Sequence, residues 1–80
     1  MAEQTLSSAA RDVELNISTR VLALRSERGM TQGQLAEAAG VTKGYMSKIE
    51  NARIVPPIGT LVRIAHALQT DVAAFLQPVN

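Results

Sequence analysis

The sequence predicts an all-α fold of five helices, and three observations lead to it. Apolar residues recur at spacings of three and four, as at Ile17, Val21 and Leu24 or at Leu61, Ile64, Ala65 and Leu68. Sustained alternation and hairpin signals of the Asn-Gly type are missing, so strands find no support. Helix-ending residues punctuate the periodic runs: Gly29, Gly40 and the Pro56-Pro57 pair.

Each element follows from local chemistry. Helix one carries Ile17, Val21 and Leu24 and stops at Gly29, after Arg28. Leu6, Ala10 and Val13 continue its spacing backwards, which predicts an N-terminal helical extension, either continuous or broken near Asn16-Ile17-Ser18. Such an extension needs a surface to cover, a second subunit being one. Helix two opens with a capping box, Thr31 to Gln34, and turns Leu35, Ala36 and Ala39 inward. Gly40 ends it in the left-handed conformation that glycine adopts without steric cost. Helix three is capped by Thr42 and buries Met46 and Ile49. Ala52–Pro57 is a loop, and the run from Leu61 to Leu68 is helix four. A short fifth helix starts at Asp71, buries Val72, Phe75 and Leu76, and ends at Pro78.

Eighty residues make one small domain, which buries only about two-thirds of its unfolded surface. Residues 1–16 read as the extension, 17–76 as the domain and 77–80 as a tail. Without cysteine there is no disulfide framework and no thiolate metal site, which is compatible with a reducing cytoplasm. No signal peptide is evident, and no apolar stretch approaches the roughly 18 residues of a membrane helix. The net charge of +1 hides an asymmetry. Glu3, Asp12 and Glu14 outnumber Arg11 before residue 15, whereas from 42 to 63 only Glu50 opposes Lys43, Lys48, Arg53 and Arg63. A local basic patch of this kind is the footprint of a nucleic-acid partner. An ordinary solvated surface shows similar fluctuations.

The stretch Thr31–Asn51 carries the functional reading. Two short helices bent around Gly40 are a known device for laying a polar helix in the DNA major groove. The polar face of the second carries Lys43, Tyr45, Ser47 and Lys48. Lys43 and Lys48 lie about 140° apart around a helix, so one reads a base edge while the other holds phosphate. Lys43, in the first turn, is the better placed for the base. Tyr45 suits either a phosphate or sugar contact or packing at the rim. His66, the only histidine, has no cysteine or paired carboxylate nearby and reads as solvated or partner-facing. Met30 and Met46 read as core fillers. No phosphate loop, nucleophile–base pair or metal spacing is present, so no enzyme activity, metal or cofactor is expected.

With these residues in hand, the chain resembles the lambda-repressor-like, Xre-type helix-turn-helix family. The matching pieces are ISTRVLALRSERGMTQGQLAEAAGV, TKGYMSKIEN, PPIGTLVRIAHAL and DVAAFL, spanning residues 17–76 in the family's order. The most specific are the TQ-x-x-LA-x-x-x-GV core and SKIEN-x-R followed by a proline. The resemblance implies five helices around one core, with helix three, residues 42–51, as the recognition helix. It implies that Gln32 holds a backbone phosphate and braces that helix, and that Lys43, Gly44 and Lys48 face base edges with Thr42, Tyr45 and Ser47 close by. Asn51 and Arg53 resemble residues that hold the sugar-phosphate backbone. Arg25 and Glu50 match a pair that ties helix one to helix three. Gly44 departs from the family, where a base-reading glutamine or serine is common, and Gln69 stands where relatives often have a glycine.

The expected function is therefore a sequence-specific DNA-binding transcriptional regulator of the repressor type, cytoplasmic and acting on double-stranded DNA. A domain this small suggests a homodimer on a palindromic operator with half-sites about 34 Å apart. Two other readings fit the same residues. One is a helix-turn-helix fold used for protein contact, as an antitoxin-like or bridging module. The other is the DNA-binding part of a larger regulator with a ligand-sensing cupin domain, residues 77–80 being either a natural end or a cut linker.

Overall fold

The computed structural model describes residues 2–77, with side chains from residue 9 onward. The chain forms α1 (Ala2–Glu27), α2 (Gln32–Ala39), α3 (Lys43–Glu50) and α4 (Ile58–Ala67), followed by a 3-10 turn (Val72–Phe75). No strand occurs among the described residues. The all-α class holds, with one difference: the fifth element is a single 3-10 turn rather than an α-helix. Asp71 caps it by accepting from the Ala73 amide at 2.9 Å. Phe75 is fully buried and Val72 half-buried, but Leu76 is 53% exposed. At three residues per turn Val72 and Phe75 share the inward side and Leu76 turns about 120° away from it, so the expected burial of Leu76 is corrected. Pro78 lies outside the described residues.

One apolar core holds these elements together. α1 contributes Ile17, Val21 and Leu24, α2 Leu35, Ala36 and Ala39, and α3 Met46 and Ile49. α4 contributes Leu61, Ile64, Ala65 and Leu68, and Phe75 closes the end. Ala36 and Ala39 are small where α2 meets its neighbours, which lets both α3 and α4 pack closely on it. Met46 is fully buried and Met30 packs against the core from its edge, as expected of filler residues.

α1 runs unbroken through Asn16-Ile17-Ser18, because both polar residues find partners that leave the helix intact. Ser18 Oγ donates to the Leu15 carbonyl at 3.0 Å. Asn16 Nδ2 donates to the carbonyls of Phe75, at 2.9 Å, and Gln77. Arg20 Nε adds a bond to the Ala74 carbonyl at 3.1 Å, so the 3-10 turn is clasped to α1 along one side. Upstream, the apolar spacing leaves the core: Ala10 is exposed and Val13 is 48% exposed. The side chain of Leu6 lies outside the described residues.

All four α-helices end in the same way. A residue in the left-handed region closes each: Gly29 (φ 65°), Gly40 (φ 74°), Ala52 (φ 58°) and Gln69 (φ 58°). The next amide reaches back five residues: Met30 to Arg25, Val41 to Ala36, Arg53 to Lys48 and Thr70 to Ala65. This is the Schellman pattern, which satisfies carbonyls that the helix end would leave open. Gly29 and Gly40 meet its dihedral requirement freely, whereas Ala52 and Gln69 carry a Cβ there and are strained. The turn after α4 is thus regular despite its missing glycine. Replacing either strained residue, Ala52→Gly or Gln69→Gly, is expected to raise stability by about 1 kcal/mol in urea unfolding, with an unchanged m-value.

Candidate nucleic-acid interface

α2 and α3 each open on a local side-chain cap. Thr31 Oγ1 accepts from the Gln34 amide at 3.0 Å, and Gln34 Oε1 accepts from the Thr31 amide at 2.8 Å. Thr42 Oγ1 accepts from the Tyr45 amide at 3.1 Å, starting α3 one residue after the bend. Gly40 and Val41 make that bend, and Val41 packs on the core edge.

A single carboxylate then fixes the angle of α3. Arg25 on α1 grips Glu50 with two parallel bonds, Nε to Oε2 at 2.7 Å and Nη2 to Oε1 at 2.9 Å. Its third nitrogen, Nη1, donates to the Met30 carbonyl at 2.8 Å. Gln32 Nε2, from the first residue of α2, adds a bond to Glu50 Oε1 at 3.0 Å. The Glu50 side chain is 4% exposed and that of Arg25 16%. The hydrogen bond to Glu50 raises the Arg25 pKa above its usual value; lost solvation opposes this, and the attraction of the Glu50 charge adds to it. The bracing expected of Gln32 and the tie between Arg25 and Glu50 are thus present in one network.

The outward face of α3 is different in kind. Lys43, Gly44 and Lys48 are exposed, and Ser47 is half-buried. Tyr45 is half-buried and packs against the core, at the rim of the face. Asn51 folds back on the last turn, its Nδ2 donating to the Ser47 carbonyl at 2.9 Å and to Ser47 Oγ at 3.3 Å. Arg53 is exposed in the loop beyond. Among the described residues neither lysine nor Arg53 has a carboxylate within ion-pairing distance. Glu50, the only acid from 42 to 63, is turned inward. The surface left by α3 and its loop is therefore cationic without internal compensation.

Arg63, counted in the basic stretch of the sequence but given no role by the family motif, joins this surface from α4. It is exposed, donates to Thr60 Oγ1 at 3.4 Å, and lines a shallow groove with Val41, Thr42, Tyr45 and Thr60 at the start of α3. The signal for it was its outward register between Leu61 and Ile64. His66 is exposed on the neighbouring groove beside Glu37 and Arg63. Among the described residues no group of three or more His, Cys, Asp or Glu side chains converges, and no helix is long and apolar enough to cross a membrane.

The family model for the Helix-turn-helix domain matches residues 16–75, three quarters of the chain. The chain belongs to this helix-turn-helix family. It is 39% identical over 62 residues to the immunity repressor protein of Bacillus phage phi105, covering 78% of this chain and 43% of that protein. It is 37% identical over 62 residues to the HTH-type transcriptional regulator SutR of Escherichia coli K12, covering 78% of this chain and 35% of that one. The chain thus spans less than half the length of these relatives. Among solved structures, the clp gene regulator ClgR of Corynebacterium glutamicum superposes with a TM-score of 0.76 at 31% identity, over 80% of this chain and 68% of that one. A hypothetical transcription factor, NHTF from Neisseria, gives 0.80 at 24% identity over 84% and 77%, a likeness of fold alone.

The Arg25–Glu50 grip is the most consequential internal contact of the face. Arg25→Ala is expected to destabilise the domain by about 3 kcal/mol, the low end for a broken buried pair because Arg25 is partly exposed. Arg25→Lys recovers less than half of that loss, since an ammonium cannot make the forked contact. Thermal and urea unfolding of the two variants measure both.

Proposed function

We propose that the chain is a sequence-specific DNA-binding transcriptional regulator of the repressor type, laying α3 in the major groove. The observation that carries the reading is the uncompensated cationic face of α3, created because its one acid is turned into the fold. Residues 17–76 form the DNA-binding unit in this reading, with 1–16 as an extension and 77–80 as a tail. Lys43 reads a base edge while Lys48, Arg53 and Asn51 hold the backbone, with Thr42, Tyr45 and Ser47 at the margins of the contact. Gln32 serves both as a brace for α3 and, at the start of α2, as a neighbour of the phosphates. The names of the phage repressor and of the other regulators support the repressor-type role.

One eight-residue helix presents few side chains to a groove, about 12 Å of reading surface. That is too little to single out an operator, so two copies on a palindromic site supply the selectivity. A double-stranded DNA partner places the protein in the cytoplasm, with the nucleoid.

Titration of Lys43→Ala and Lys48→Ala against selected and random duplexes tests the assignment. Lys43→Ala weakens the selected duplex by about 1–3 kcal/mol and relaxes base preference. Lys48→Ala weakens both duplexes alike and lowers the slope of log affinity against log salt by about one. Unchanged affinity and preference in both variants would exclude α3 as the reader. Wild-type binding that is flat with salt would instead support a protein-contact role.

A further inference from the structure

Lys43 and Lys48 are the only lysines in the chain, and every other basic side chain apart from His66 is an arginine. The division follows what the residues do. Arginine makes the internal contacts: Arg25 forks onto Glu50, Arg20 holds the Ala74 carbonyl, Arg11 pairs with Glu14 and Arg63 reaches Thr60. Its planar fork suits those contacts, and it suits phosphates and base edges as well. Lysine is thus confined to α3, on a face where arginine would also serve.

What lysine adds there is a nucleophile. A guanidinium stays protonated and resists acyl transfer, whereas an amine accepts it. Both α3 side chains are exposed, and among the described residues neither has a carboxylate within ion-pairing distance. The stem of Lys43 lies over α2, its Cδ 3.9 Å from where a Cβ on Gly33 would stand. Beside it, no heavy atom lies within 4 Å of the place where a Cβ on Gly44 would stand. The amines are therefore uncovered as well as unpaired. With Glu50 turned inward, their field draws small anions to the face.

We propose that Lys43 and Lys48 form an acyl-acceptor site for acyl phosphates, and that acylation there switches the DNA face off. The inference rests on the DNA reading above and adds its regulation. Each Nζ gives a proton to water and attacks the acyl carbon. The C–N bond of an amide forms, the acyl C–O bond breaks, and inorganic phosphate leaves with the electron pair. Nothing is oxidised or reduced. A neutral amide then replaces each ammonium, so the face loses both of its α3 charges. The fold loses nothing, because neither charge is paired within it.

The chain is incubated with acetyl phosphate, and acetylated positions are mapped by peptide mass spectrometry. Nα-acetyl-lysine methylamide in the same solution reports the reactivity of an unhindered amine. Both lysines are expected to react wherever the reference does, and to be protected by a duplex selected with untreated chain. Doubly acetylated chain loses at least ~5-fold in affinity for that duplex, and its slope of log affinity against log salt falls by roughly two. Its thermal melt coincides with that of untreated chain. A chain carrying Lys43→Arg and Lys48→Arg, compared only with itself, keeps its affinity through the treatment.

Lysines that stay unmodified while the reference reacts overturn the proposal, as do lysines that the duplex fails to protect. Doubly acetylated chain that binds like untreated chain overturns it too. So does a lowered melt that accounts for the loss, or an equal loss in the arginine variant. These results leave the DNA reading standing if untreated chain binds with selectivity. Untreated chain that binds no duplex overturns both.

Discussion

The architecture turns on the Glu50 carboxylate. Arg25 from α1, Gln32 from α2 and, through Arg25, the Met30 carbonyl of the intervening turn all converge on this one side chain of α3. An isolated helix of eight residues is unstable in water, so α3 depends on its surroundings for existence as well as angle. Met46 and Ile49 supply the apolar part of that support, but apolar contact alone allows rotation and sliding. The forked Arg25 contact is directional and removes both freedoms. A well-packed apolar replacement could match the pair in stability, so orientation is what the pair contributes.

The same carboxylate shapes the surface by its absence from it. Were Glu50 on the outer face, it would stand among Lys43, Lys48 and Arg53 and cancel part of their field. Facing inward, it satisfies Arg25, which would otherwise be an unpaired charge at the edge of the core. Structural and electrostatic requirements are thus met by one residue, and the charged groups that α3 leaves exposed are both cationic. Arg63 extends that character onto α4, beside the bend at Gly40.

Much of this is written locally and could be read from the chain. The Thr31–Gln34 capping box, the Gly40 bend and every buried position of α2, α3 and α4 follow from periodicity and cap chemistry, since each involves residues a few positions apart. What escaped is non-local or depends on a partner. Asn16 and Ser18 look like helix breakers until Asn16 is seen donating to carbonyls 59 and 61 residues away. The 3-10 turn and the outward Leu76 depend on that same clasp. Ala52 and Gln69 take left-handed dihedrals that their identities do not advertise, because the tertiary fold demands a Schellman ending whatever residue stands there. Residue types mark the cationic face, and the resemblance implied the tie of Glu50 to Arg25; the fold shows how fully that tie withdraws the carboxylate from the face. The helical reach of α1 before residue 16 was legible, though its apolar stripe outruns the core at Val13.

The clasp between α1 and the 3-10 turn has a kinetic meaning. Bonds from Asn16 and Arg20 to the carbonyls of Ala74, Phe75 and Gln77 close nearly the whole helix-turn-helix unit into a loop. Contacts this far apart in sequence are made late, after the local hairpin of α2 and α3 has formed. Once shut, they make the two ends of the unit one cooperative segment. α1 around Asn16 and Arg20 and the turn around Phe75 then exchange their amide protons together, so that opening one is felt at the other.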